Sequence, residues 1–277
     1  MKIKAEFHCH TTASDGNLSP TEVVQLAKTN GVEYLAITDH DTVDGLPEAK
    51  EACDKLNIKF IPGIELSCNH NKESIHILGF FKGDGYKSKE LIDFLHNLKL
   101  NRISRAKAIV DKLKEHFNIE LNYEDVISLG DGVIARPHIA KAIINAGYDY
   151  SIDYIFDNFI GNDSPAYVPN KHISVPDGIK LLKKYGCIAI LAHPKLVKKT
   201  PVKTLLEFDF DGIEAIYFQN YQSETDEFTS MANSKGLLIT CGSDFHGISK
   251  DDKKHGTVGA MEIDEFFFNK FIKSYLN

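Results

Sequence analysis

Seven short, apolar, β-branched segments, spread along 277 residues with helical patterns between several of them, constrain the fold more than any other feature of this chain. They are KAEFHCH, EYLAITDHD, KFIPGIELS, SIHILGFF, IAILAHP, GIEAIYF and LLITCGSDFHG. Runs of this length and composition read as strands, because branched and aromatic side chains suit a pleated, half-buried surface. PTEVVQLAKTNG and VPDGIKLLKKYG carry apolar residues at helical spacing, and the second ends Lys-Lys-Tyr-Gly, basic residues and then glycine, as helices often do. Strands alternating with helices predict a mainly parallel sheet, and seven such units predict an α/β fold closed into a distorted (β/α)7 barrel.

The interval 83–165 breaks this rhythm. KSKELIDFLHNLKLNRISRAKAIVDKLKEHF has helical periodicity over its whole length, and PHIAKAIINAGY and SIDYIFDNFIG follow in the same style. We expect a helical insertion over 83–165 that caps the C-terminal rim of a barrel built from 1–82 and 166–277. Five cysteines, odd in number and never spaced C-x-x-C, argue against a disulfide framework or a thiolate zinc site. The N-terminus runs directly into a strand, and no apolar run approaches the roughly 20 residues that cross a bilayer, so a cytoplasmic protein without a membrane partner is expected. A formal charge of −7 argues against gripping long duplex nucleic acid, but it leaves room for a small or short anionic substrate.

Metal-ligand residue types gather where these strands end. The first closes with His8 and His10, the second with Asp39, His40 and Asp41, and the third with Glu65. The fourth carries His76, the fifth His193, and the seventh Asp244 and His246; Asp15 follows in the first loop. Loops at the C-terminal strand ends of a parallel barrel build its active site. Residues two apart on a strand point the same way, so His8 and His10 should converge, as should Asp244 and His246. So many imidazoles and carboxylates on one rim repel or desolvate one another unless a cation sits among them. His70, His96, His116, His172 and His255 lie on helices, in turns or in loops and are expected at the surface. Cys9, Cys68 and Cys241 are expected as small buried residues rather than ligands.

These residues fall within FHCHTTASDG, LAITDHDTVDG, IPGIELS, IHILGF, LAHP and GSDFHG, in that order. The chain thereby resembles the polymerase and histidinol phosphatase (PHP) superfamily. ARPHIAKAIINAGY followed by SPAYVPN is similar to its branch of nucleotide phosphoesterases and 5′-to-3′ exoribonucleases. The resemblance implies a trinuclear centre, with one metal on His8, His10, Glu65 and Asp244. A second would lie on Glu65, His76 and His193, with Glu65 bridging, and a third on Asp15, His40 and His246. His8, His10, Glu65, His193 and Asp244 would be the catalytic core.

Two cations sharing Glu65 would acidify a shared water, and the hydroxide would attack phosphorus in line. Asp39, Asp41 and His193 stand unranked as proton carriers. Imidazole and carboxylate donors without thiolate suit two or three manganese, iron or zinc ions better than magnesium. Arg136 and His138, at an expected helix start, are candidates for binding substrate phosphate. Arg102 and Arg105, three apart on a helix, suit a pocket and a solvated basic face equally. Lys195, just past His193, is expected in a solvated loop. The expected activity is hydrolysis of a nucleotide phosphate ester, such as a 3′,5′-bisphosphate, or of short 5′-phosphorylated oligonucleotides. The alternatives are a histidinol-phosphate-type phosphatase and a metal-binding module without turnover.

Overall fold

The computed structural model describes residues 1–129, 134, 136–169, 173–247 and 254–277. Of the positions read from the sequence, Ala135, Asn170 and His172 lie outside the described residues. The chain forms two compact units, Met1–Ile92 with His172–Asn277, and Asp93–Lys171.

The first unit is the barrel. Its strands are β1 (Lys2–Ile3), β2 (Ala5–Glu6), β3 (Tyr34–Ile37), β4 (Lys59–His70), β5 (Glu73–Phe81), β6 (Ile173–Ser174), β7 (Cys187–Leu191), β8 (Gly212–Tyr217), β9 (Leu238–Gly242) and β10 (Ile263–Asp264). The helices among them are α1 (Pro20–Thr29) and α2 (Leu46–Leu56), then, beyond the second unit's α3 (Lys89–Phe117), α4 (Tyr123–Ser128), α5 (Arg136–Asn145) and α6 (Ile152–Asn158), the group α7 (Val175–Lys184), α8 (Val202–Leu205), α9 (Gln222–Lys235) and α10 (Glu265–Leu276). The main sheet runs β2-β3-β4-β5-β7-β8-β9, with β6 added against β4. It closes where the chain past β2 meets the chain past β9: Asp244 N donates to His8 O at 2.9 Å and His10 N to Phe245 O at 2.8 Å.

Local sequence explains the starts and stops. Ser19 and Glu22 form a reciprocal capping box at α1, and Ser174 caps α7 just ahead of Pro176. At the barrel's core, Phe7 packs its ring on Phe271 at 4.8 Å and edge-on to Phe80 at 6.1 Å, so the apolar face of α10 covers the first strand.

The sheet is mainly parallel, as expected. The exception is β5, which runs antiparallel to both β4 and β7. The cause is a two-residue hairpin at Asn71 and Lys72, whose φ values of 50° and 61° are the left-handed pair such a turn needs. β4 pairs with β3 only as far as Pro62 and then outruns it, so the hairpin rises past the rim. His76 therefore reaches the rim from the start of its strand, not from its end.

The second unit holds the rest of α3 with α4, α5 and α6. It has its own core of Ile109, Leu113, Val126, Ile139, Ile143, Ile155 and Ile160. α4, capped by the side chain of Asn122, has no counterpart among the helices read from sequence, since six residues carry too little periodicity. α3 starts at Lys89, inside the first unit, and the second unit begins at Asp93, ten residues beyond the expected boundary at 83.

Candidate metal centre

Glu65 is the hub. Its side chain is fully buried, and Oε1 lies 2.9 Å from His76 Nδ1 and 2.9 Å from His193 Nε2. Oε2 lies 3.2 Å from His8 Nε2, 3.1 Å from His10 Nε2 and 3.1 Å from His40 Nδ1. Asp244 Oδ1 closes the first group, 3.3 Å from His8 Nε2 and 3.2 Å from His10 Nε2. A further group adjoins it, with Asp15 3.4 Å from His246 Nε2, 3.8 Å from His40 Nε2 and 3.7 Å from His10 Nδ1. Three sets of donors thus fall within 4.8 Å: His8, His10, Glu65 and Asp244; His40, Glu65 and His76; and His10, Asp15, His40 and His246. His40 faces two of these sets, Nδ1 toward Glu65 and Nε2 toward Asp15.

The donors fit cations better than they fit one another. His8 Nε2, both ring nitrogens of His10, His40 Nδ1 and Glu65 Oε2 are buried without a hydrogen-bond partner among the described residues, although they stand close together. Such orphans cost free energy when nothing satisfies them. Atoms about 2.1 Å from a shared ion stand about 3–3.5 Å apart, which is the spacing of the first group.

Second partners orient the imidazoles. Glu214 accepts from His193 N at 2.7 Å and lies 3.0 Å from His8 Nδ1, which turns His8 Nε2 toward Glu65. Tyr217 donates its hydroxyl to Asp244 Oδ2 at 3.0 Å. Glu6 accepts backbone N–H groups from His8, Ser243 and Gly259, tying the two closing segments together, and burial pushes its carboxyl up to about 7. Asp39 is well partnered: Thr11 N, Thr11 Oγ1 and Ser14 Oγ donate to it at 2.6–2.8 Å. Asp41 accepts from Ser67 N at 2.7 Å. Both aspartates brace loops.

Electrostatics follow from this crowding. Burial disfavours a charged His8, yet Glu214, Glu65 and Asp244 outweigh it and hold the ring well above the ordinary histidine range. For His10, burial is again overcome, by Asp244 and Glu65, and the ring is pushed up to about 10. His40 goes the other way, down to about 4, because burial dominates. Glu65 and Asp244 are held well below the carboxylate range: burial opposes this, and the surrounding imidazoles prevail.

Asp244 and His246 converge, with His246 Nδ1 3.7 Å from Asp244 Oδ1, but not as neighbours on a strand. β9 stops at Gly242, and Asp244 takes a left-handed conformation with φ 54°. That turn sends Asp244 to the first group and His246 to the Asp15 group. His255, expected at the surface, instead packs its ring on His246 at 4.3 Å, because the loop after β9 returns to the rim. His70 turns to Asn71 and Phe208, while His96 and His116 are exposed. The five cysteines are free and buried; Cys9 and Cys241 donate to the carbonyls of Ala36 and Ala5. Lys195 pairs with Glu224 rather than standing free in its loop.

Arg102, Arg105, Arg136 and His138 belong to the second unit. Arg136 opens α5, donates to Ile160 O at 3.2 Å and Asn162 Oδ1 at 2.9 Å, and stacks near Phe156 and Tyr167. Arg105 donates Nε to Val168 O at 2.7 Å; burial, with the charges of Arg136 and Arg102, pushes it down to about 10.

The PHP domain model matches residues 6–163, more than half of the chain. This chain belongs to the PHP family. A 5′-3′ exoribonuclease from Haemophilus influenzae is 33% identical over 252 residues, covering 89% of this chain and 91% of that protein. A 3′,5′-nucleoside bisphosphate phosphatase from Chromobacterium violaceum is 29% identical over 250 residues, covering 87% and 86%. Among solved structures, a proposed metal-dependent phosphoesterase from Bifidobacterium adolescentis superposes with a TM-score of 0.79 at 26% identity, covering 98% of this PHP chain and 96% of that one. The likeness to that phosphoesterase and the cluster around Glu65 both point to divalent metal ions. No helix among the described residues is long and apolar enough to cross a membrane.

Proposed function

We propose that this PHP protein hydrolyses a phosphate ester of a nucleotide, either a 3′,5′-bisphosphate nucleotide or a short 5′-phosphorylated oligonucleotide. The protein is a hydrolase of phosphoric ester bonds, as its named relatives are. The observation that carries the reading is the set of buried, partnerless donor atoms around Glu65. His8, His10, Glu65 and Asp244 would hold one ion; Glu65 with His76 and His193 a second; Asp15, His40 and His246 a third. Donors of this kind suit manganese, iron or zinc. Such ions supply positive charge to phosphate oxygens and make water acidic enough to yield a nucleophile near neutral pH.

The chain's own groups do the rest. Glu65 spans two donor groups with its two oxygens and so sets their separation. Glu214 holds His8 by the ring nitrogen that faces away from Glu65, and Tyr217 does the same for Asp244. Near-complete burial of His8, His10 and Glu65 keeps bulk water from screening charge in the site. We assign phosphate recognition to Arg136 and His138, with Arg102 and Arg105, because guanidinium charge gathered around Arg105 by Arg136 and Arg102 favours an anion.

The test is an assay with added manganese on 3′-phosphoadenosine 5′-phosphate, a 5′-phosphorylated oligoribonucleotide and histidinol phosphate. Turnover of either of the first two, with little of the third, is expected. Preference for histidinol phosphate would assign the protein to small-molecule phosphatases. Turnover of none, with metal found by elemental analysis, would make it a module without catalysis. Arg136→Ala is expected to weaken substrate binding by about 1.5–3 kcal/mol, read as a raised KM.

A further inference from the structure

We infer that Tyr221, at the rim beside His193, is a stacking platform for the nucleobase of the substrate; this rests on the nucleotide reading above. β7, β8 and β9 are parallel, so His193, the loop after Tyr217, and Asp244 all leave the sheet at one edge. Tyr217 anchors that loop to the centre, with its hydroxyl on Asp244 Oδ2 at 3.0 Å and its ring 5.6 Å from that of His193. A tight turn follows, in which Asn220 N donates to Tyr217 O at 3.0 Å and Asn220 Nδ2 to Ala215 O at 2.9 Å. A turn of this kind leaves Tyr221 roughly 10 Å from Tyr217, about the length of a nucleotide.

Tyr221 is held but not covered. Its N–H donates to Glu224 Oε2 at 2.7 Å, the same carboxylate lies 2.5 Å from Lys195 Nζ, and Lys195 Nζ sits 4.1 Å from the ring centre. Yet the residue is 75% exposed. A large ring with a cation at one side and water over most of its surface costs apolar hydration that folding does not recover. Phe218, on the same loop, is 38% exposed, and the exposed Lys198 and Lys199 follow Lys195 in the segment after β7. Aromatic rings beside lysines are how chains hold single nucleotides without base-specific hydrogen bonds, because every base offers a flat π face. The platform therefore favours nucleotides over sugar phosphates without selecting one base.

Kinetics on 3′-phosphoadenosine 5′-phosphate and its base-free analogue 1-deoxyribose 3,5-bisphosphate test this. Tyr221→Ala is expected to reduce the wild-type preference for the base-bearing substrate, as the ratio of kcat/KM values, by roughly 5- to 100-fold. Tyr221→Phe should restore the ratio, since the ring and not the hydroxyl stacks. The chain has no tryptophan, so Tyr221→Trp provides a single reporter whose fluorescence adenosine 5′-phosphate should quench and ribose 5-phosphate should not. An unchanged ratio in a folded, active Tyr221→Ala protein, or equal quenching by both ligands, overturns the platform alone. A wild-type protein that turns over neither bisphosphate nor the 5′-phosphorylated oligoribonucleotide overturns the nucleotide reading, and the platform with it.

Discussion

Glu214 has no place in the ligand set, yet it holds both His8 and the backbone of His193. Carboxylates behind ligating imidazoles fix ring orientation and raise basicity. Glu214→Gln is therefore expected to weaken metal binding about 10- to 100-fold while the ligands remain, measured by competition with a chromophoric chelator. Gly242 explains how such crowding is tolerated. A Cβ at this position would overlap His8 Cβ and Glu214 Oε1. Gly242→Ala should cost about 1–3 kcal/mol of stability, read from the urea midpoint, because neither buried neighbour can retreat. The ligand types themselves were legible, since histidines and acids at the ends of apolar runs are unusual. Glu214 left a weaker trace, a lone acid inside GIEAIYF. His255 left none, because a histidine in a charged loop carries no pattern.

The β4–β5 hairpin is where strand arithmetic and real topology part. Its turn places Asn71 and Lys72 in the left-handed region, where a side chain is strained and glycine is not. Lys72→Gly is accordingly expected to raise stability by about 1 kcal/mol, seen as a higher melting temperature, with metal content unchanged. A slip of one residue in this hairpin would turn His76 to the opposite face of the sheet. Strand direction was not legible: an apolar run reads the same in either sense, and Asn-Lys is a weaker turn signal than Asn-Gly. The helical periodicity of 89–117 was legible because it persists for eight turns; α4 was not, because six residues hold less than two.

In the barrel as a unit, carboxylate and imidazolium charges balance one another around Glu65. His8 is held above the histidine range and His10 near 10, so at neutral pH both carry protons when no cation is bound. Cations must displace those protons, so loading should release them and apparent affinity should rise with pH. Titration calorimetry with manganese in two buffers of different ionisation enthalpy measures the release; equal heats would contradict it. Manganese at 100 times its Kd should add about 2.7 kcal/mol of stability, and a chelator should remove it.

Composition and periodicity by themselves determined the element types, the near order of strands and helices, and the donor chemistry, because each is a property of a few neighbouring residues. The direction of β5, the left-handed turn at Asp244, and the placement of His255 against His246 were decided only by tertiary structure. Each depends on which segments far apart in the chain share a boundary, and no short stretch of amino acids encodes its own partner.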